Sequence, residues 1–339
     1  TDPIIRSVTL RRRIIRRSVF ITIVFRGDQR MFLALTANQN KLIRQLCGGQ
    51  TVPNSKEAQQ ALSLLGLNDQ VMRLAGGLRL AGKVELIDAA RVRSRLGAGI
   101  TFEHHLLIDS TNSALMARPL SEDRVVCTAE MQGAGRGRRG RTWVSPFAQN
   151  LALSYIGGLD LAMSQLGGLS VAIGVELVQT LRDLGFLEVA IKWPNDLMTK
   201  AGKLGGILIE LDQLSLRSSR VCVGVGLNVN AAPDFQEIDQ LAVALTREVP
   251  VSRTELVIRF VEAIDSVLSQ FSPGMMSQYQ ARWGALDLYH GESVNVFQGN
   301  DVVTGRNEGI DIDGCLVLDA KGGRKTFNAG EVSLRGLGS

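Results

Sequence analysis

The stretch Gln132 to Trp143 reads QGAGRGRRGRTW, four arginines threaded through four glycines. Guanidiniums are planar, permanently charged forks that suit carboxylate and phosphate oxygens. Each such hydrogen bond is worth ~1.5–3 kcal/mol. Glycines let backbone close tightly around a ligand and leave the loop mobile until one arrives. The composition therefore predicts capture of an acidic ligand, with the loop closing over a reactive acyl phosphate and excluding water. Gly135, Gly137 and Gly140 also spell G-x-G-x-x-G. That dinucleotide reading needs a helix directly after the turn. Here Thr142-Trp-Val-Ser-Pro146 is extended and ends at a proline. A Walker loop needs Gly-Lys followed by Ser or Thr, and none is present. A solvated basic loop, or a segment touching RNA, accounts for the composition equally well.

A second cluster separates these readings. Lys192-Trp-Pro-Asn-Asp196 ends one strand, and Lys203-Leu-Gly-Gly206 begins the next after a short connection. Two lysines, an amide and a carboxylate thus gather at strand ends, where α/β proteins favour their sites. Asp196 could hold magnesium through a triphosphate. Lys203 is placed to neutralise a carboxylate approaching a phosphate. A surface turn with a routine ion pair does not explain two such loops in one domain.

The elements that must position these loops can be read from periodicity. Leu106 to Ile108, Val125 to Ala129, Leu151 to Ile156, Val189 to Trp193 and Gly206 to Leu211 read as strands. Leu166, Leu169, Ile173, Leu177, Leu181 and Leu184 share one helical face, and Gly185 terminates it. Val221 to Val229 alternates strictly, as a half-buried strand does. Its pattern reads as an exposed edge that could pair two copies into a homodimer. Ser252-Arg-Thr-Glu255 reads as a capping box ahead of a helix with face Leu256, Phe260, Ile264, Val267 and Phe271. Past Gly291 the texture turns to short strands, with hairpin signals at Asp313-Gly314 and Gly322-Gly323. Upstream, Leu42, Ile43 and Leu46 precede a Gly48-Gly49 break, and Ala58, Ala61, Leu62 and Leu65 follow at helical spacing. This predicts a small helix-turn-helix unit.

The chain has 339 residues and a net charge of +5, so two or three domains and anionic partners are expected. No apolar run approaches the roughly 18 residues that span a bilayer; Ser18 to Phe25 is far too short. Cys47, Cys127, Cys222 and Cys315 are scattered among apolar neighbours, which suits free thiols in a reducing cytoplasm. With His104, His105 and His290 they match no familiar zinc spacing, so no structural metal is expected. Residues 1–30 are Arg-rich and lack caps or a clear apolar period. A transit peptide, a disordered basic tail, or sequence upstream of a start at Met31 all fit, and no structure is assigned there.

In family order the chain carries Asp109-Ser-Thr-Asn112, the Gln132–Trp143 loop, Lys192-Trp-Pro-Asn-Asp196, Lys203-Leu-Gly-Gly-Ile207 and Gly224-Val-Gly-Leu-Asn-Val229. Together these resemble the biotin–protein ligase family, from about Phe102 to the C-terminus. The resemblance implies an α+β fold: a central mixed α/β, class II synthetase-like ligase domain (86–288) and a C-terminal SH3-like β-barrel (289–339) ending in Gly330-Glu-Val-Ser-Leu-Arg335. Residues 31–85 would form a winged helix-turn-helix-like unit. The implied activity uses ATP and magnesium to convert biotin to biotinoyl-5'-AMP. The biotinoyl group then passes to a lysine of a biotin carboxyl carrier protein. Ser110, Thr111, Asn112 and Gln132 would line the biotin pocket. Gly135, Arg136, Arg138 and Arg141 belong to the loop that orders over biotin and adenylate. Trp143 and Asn228 would help form the nucleotide side. Asn195 and Asp196 would lie at the phosphates. Lys203 would contact the biotin carboxylate and the α-phosphate, and Gly206 would let backbone approach the ligand. Lys203 and Arg138 are the implied catalytic residues.

Some family members are also repressors. Here Leu67 to Gly77 is too short for a recognition helix plus wing, and Asn68 to Arg73 carries a single arginine. A DNA reader presents basic residues on that helix, so a degenerate, structural unit is predicted. The nearest rival is a lipoate–protein ligase of shared fold. A biotin-responsive repressor with secondary catalysis and a nicotinamide-dependent oxidoreductase follow.

Overall fold

The computed structural model describes residues 7–14, 17–24, 34–233, 241–245, 251–299, 301–329 and 332–336. It opens on an antiparallel hairpin of β1 (Ser7–Ile14) and β2 (Arg17–Val24), in register from Ser7↔Val24 to Ile14↔Arg17. The sequence left this segment unassigned. The β-branched runs in SVTLRRRI and RSVFITIV favour strands despite the arginines.

Helices α1 (Ala37–Cys47) and α2 (Lys56–Leu64) follow, the first closed by a Thr36–Gln39 capping box and the second capped by Ser55. A single 3-10 turn at Asn68–Gln70 then leads into the hairpin of β3 (Val71–Leu74) and β4 (Gly77–Leu80). The short connection thus spares a wing-like hairpin, and the helix between α2 and β3 is what it eliminates. Leu42, Ile43, Leu46, Ala61 and Leu62 form a small core that also takes Leu106, Leu107 and Phe147 from the next unit.

That unit comprises α3 (Ala89–Arg95), β5 (Ile100–His105), α4 (Thr111–Met116), β6 (Arg124–Ala129), β7 (Leu151–Leu159), α5 (Leu169–Asp183), β8 (Ala190–Lys192), β9 (Asp196–Thr199), β10 (Gly202–Gln213), β11 (Ser219–Leu227), α6 (Arg253–Gln270) and α7 (Met276–Trp283). Its sheet runs β5-β6-β7-β11-β10-β9-β8, with β5–β6 parallel and the other pairs antiparallel. Period two dictates the two faces. Val221, Val223, Val225 and Leu227 join the main core with α5 and α6. Cys222, Gly224 and Gly226 point the other way, toward α4 and the loops.

Three expectations change. β11 lies between β7 and β10 and is no edge, so its hydrogen-bonding sides are already taken within the sheet. Its glycine face resembles a solvent face in sequence but is covered: a Cβ on Gly224 would stand 2.1 Å from Asn112, and one on Gly226 2.4 Å from the Trp143 indole. The first strand is Ile100–His105, with Leu106 to Ile108 following it. Ser252 makes no side-chain cap on α6. Glu255 instead pairs with Arg91 at 2.9 Å, and the hydroxyl of Thr254 accepts the Asp88 N–H.

The C-terminal module is a five-stranded antiparallel sheet of β12 (Ser293–Gln298), β13 (Asp301–Ile310), β14 (Leu316–Ala320), β15 (Gly323–Phe327) and β16 (Val332–Gly336), ordered β15-β14-β13-β12-β16. The expected turns form at Gly314 (φ +74°) and at Gly322 and Gly323 (φ +96° and +109°). The buried Asp287 carboxylate joins the two units. It accepts from Trp283 Nε1, Asn307 Nδ2 and the Tyr289 N–H.

Candidate active site

On the glycine face of the central sheet, strand ends and the arginine loop enclose one cleft. Every site residue expected from sequence lines it except Gly135. Gly135 matters to the loop instead, because a Cβ there would stand 2.3 Å from the Trp143 carbonyl. Having none, it lets the two limbs of the loop approach, and Gly135 O accepts the Trp143 N–H at 2.9 Å.

One wall is a polar relay at the start of α4. Gln132 Oε1 accepts from the Thr111 N–H at 2.8 Å and from its hydroxyl at 3.1 Å. Ser154 Oγ donates to Thr111 Oγ1 at 2.7 Å. Asn112 Nδ2 donates to Glu210 Oε2 at 2.9 Å. These side chains are locked by one another, so the wall is shaped before a ligand arrives.

The opposite wall is charged. Lys203 Nζ donates to Asp196 Oδ1 at 2.5 Å. A side chain at Gly206 would project between these two heads, since its Cβ would lie 3.5 Å from Asp196 Oδ1 and 3.6 Å from Lys203 Nζ. Asn195 Nδ2 donates to the Ile207 carbonyl, and Asn150 Nδ2 to Asn228 Oδ1, fixing both amides. Six cationic side chains line the cleft against one carboxylate, Asp196. The occupant must therefore bring negative charge.

The loop forms the lid. It makes a 3-10 turn at Arg138–Gly140, with Arg139 at φ +57° and Gly140 at φ +71°. No helix follows, as its sequence predicts. Arg136 Nη2 donates to Glu210 Oε2 at 2.6 Å. Arg138 Nη1 donates to Asn195 Oδ1 at 2.7 Å, and its other nitrogen reaches the Ala329 carbonyl of the C-terminal module. Burial, then the Arg139 charge, pulls Arg138 below the ordinary guanidinium pKa; Asp196 opposes this and Arg141 adds to it. Trp143 lines the cleft, and its Nε1 is buried without a hydrogen-bond partner.

Sequence reasoning missed three contributors. Glu210 shares a face with Gly206 and Leu208, so period two could have found it. Gly226 was quoted in a motif, but its role under Trp143 needs the folded loop. Leu334 reaches the cleft from the C-terminal module, and no local signal marks it.

A model of the Biotin/lipoate A/B protein ligase family matches residues 106–228, and a model of the biotin protein ligase C terminal domain matches residues 289–335. The chain is 35% identical over 263 residues to the bifunctional ligase/repressor BirA of Salmonella typhimurium, spanning 76% of this chain and 82% of that protein. It is 34% identical over 233 residues to the biotin--[acetyl-CoA-carboxylase] ligase of Mycobacterium tuberculosis, spanning 66% of this chain and 85% of that one. The biotin protein ligase from Aquifex aeolicus, solved in complex with biotin and ATP, aligns with a TM-score of 0.59 at 26% identity, over 71% of this chain and 100% of that chain. Two family models and relatives spanning most of the chain thus agree, and the chain belongs to the biotin protein ligase family.

Proposed function

We propose that this chain is a biotin–protein ligase, which activates biotin with ATP and transfers it to a lysine of a biotin carboxyl carrier protein. The observation that carries this reading is the cleft itself: a preformed neutral polar wall faces a cationic wall under an arginine lid. The neutral wall of Ser110, Thr111, Asn112 and Gln132 suits a ureido ring, and the cations suit a carboxylate meeting a triphosphate.

In the first step a biotin carboxylate oxygen attacks the α-phosphorus of ATP. The bond to the β-phosphate oxygen breaks, and pyrophosphate leaves. Lys203 spends one N–H on Asp196 and keeps two for the carboxylate and α-phosphate oxygens. Asn195 and Asp196 stand at the phosphates, Arg141, Trp143 and Asn228 at the nucleotide, and Gly135, Arg136 and Arg138 in the lid. One carboxylate plus phosphate oxygens is the donor set magnesium prefers, so Asp196 is the residue to hold it; the bound ion would neutralise phosphate charge. In the second step a neutral lysine amine of the carrier attacks the anhydride carbon. An amide forms, AMP leaves, and the amine proton passes to solvent. No covalent enzyme intermediate is needed. Alignment can supply ~7–11 kcal/mol, and charge placement adds to it.

The decisive assay is incubation with ATP, magnesium and biotin, then mass spectrometry for biotinoyl-AMP, followed by a carrier domain and a biotin-sized mass gain on one lysine. Loss of the adenylate in Lys203→Ala, by ~100-fold or more, supports the site. An adenylate formed only from lipoate would reassign the substrate.

We infer the domain division 1–30, 31–85, 86–288 and 289–339, supported by the small second core that gathers α1 and α2 and by the C-terminal five-stranded sheet. The helix-turn-helix-like unit serves structurally in this reading, because a three-residue turn stands between α2 and the hairpin. Tight, salt-dependent binding to an operator duplex would favour a repressor instead. Cytoplasmic residence fits the buried free thiols of Cys47, Cys127 and Cys222. Among the described residues no helix is long and apolar enough to cross a membrane.

A further inference from the structure

The parallel register of β5 and β6 sets Glu103 beside Cys127. Period two puts His105 on the same face of β5 as Glu103. A ring nitrogen of His105, Sγ of Cys127 and a carboxylate oxygen of Glu103 all lie within 4.8 Å of one another. His105 Nε2 is sealed from solvent with no hydrogen-bond partner, and Glu103 Oε2 lies 3.9 Å away. Buried polar atoms in native folds are ordinarily paired, so this nitrogen needs an account. None of the three residues lines the ligand cleft, and no step of the ligase reaction uses them.

We propose that Glu103, His105 and Cys127 bind one borderline divalent metal ion of the zinc type, leaving a fourth position to water. Thiolate, imidazole and carboxylate are the donors zinc takes, whereas magnesium and calcium seek oxygen alone. Metal–ligand bonds of about 2.0–2.3 Å set tetrahedral ligand atoms roughly 3.3–3.7 Å apart. The 3.9 Å separation of Glu103 and His105 therefore has to contract only slightly. Arg118 Nη1 holds Glu103 Oε1 at 2.7 Å, which orients the carboxylate with Oε2 toward the imidazole. The ion would staple the outer strand β5 to β6 beneath α4, whose Leu115 packs in one cluster with Cys127. Linear spacing hides the site because its donors pair across two strands.

Tag-free protein titrated with cobalt(II), as a spectroscopic stand-in for zinc, provides the test. The expected result is a thiolate-to-cobalt charge-transfer band saturating at one equivalent, with a Tm raised by zinc. Cys127→Ser should abolish the band. His105→Gln, at a half-exposed side chain, should weaken binding by ~100-fold or more. Circular dichroism and adenylate formation would report that both variants are folded, and Cys222→Ser should keep the band. Absence of the band, or a band that survives Cys127→Ser and His105→Gln, overturns the proposal.

Discussion

Arg138 holds three things at once: the lid it belongs to, Asn195 at the phosphate end of the cleft, and the Ala329 carbonyl. Arg138→Gly should therefore leave adenylate synthesis partly intact while the lid fails to retain the product. Free biotinoyl-AMP should appear in a rapid filtration assay, and wild-type retention by the variant would refute lid closure. Glu210 acts differently. Its Oε2 receives both Asn112 of the polar wall and Arg136 of the lid, so one carboxylate orients both. Glu210→Gln should raise the KM for biotin by about 10-fold with kcat little changed, because uniform binding is lost. An equal fall in kcat would place Glu210 in the chemistry instead. At this scale the sequence was most legible. Arginine–glycine loops and lysine-bearing strand ends advertise their chemistry through residue type, whereas Glu210 looks like any strand carboxylate until its two partners are seen.

Elements were legible where period and burial agree. The α5 and α6 faces emerged nearly as read, since one side of each is core. The β11 strand misled because glycine is neither apolar nor polar in pattern; only the folded lid shows that its second face is covered. The cap of α6 misled because tertiary partners claimed its residues. Those partners form the joint between elements. Glu130, wholly buried at the end of β6, accepts from Arg253 of α6 at 2.5 Å and from the Ile87 N–H at 2.6 Å. Burial alone would push Glu130 up, but His104 and Arg253 overrule it and hold its pKa down. Glu130→Gln should cost about 3–5 kcal/mol, because Arg253 is left buried without its counter-charge. Urea denaturation measures this, and a loss below ~1 kcal/mol would mean that Arg253 finds water or another acceptor.

At the scale of the whole molecule, Asp287 fastens the C-terminal module to the ligase domain. Both of its oxygens accept donors, and an asparagine would turn an N–H toward at least one of them. Asp287→Asn should destabilise by ~1–3 kcal/mol. Burial raises the Asp287 pKa, more than its three donors and His290 lower it. Between the unfolded value near ~3.9 and the raised folded value, the native state binds the extra proton. Wild-type stability relative to Asp287→Asn should therefore rise as pH falls through that window and be flat above it. A gap that shrinks with acidification would show the carboxylate to be held down instead. None of this joint could be read from sequence, because its members, Trp283, Asp287 and Asn307, belong to different elements and each has an ordinary neighbourhood.

The grip of Arg138 on the C-terminal module ends on a backbone oxygen, not on a side chain. Any residue but the wrong shape of turn would supply that oxygen. The module can therefore drift in sequence at this contact without the lid noticing. An exchange of modules between relatives would succeed or fail on where one peptide plane sits, and comparison of side chains would not foresee which.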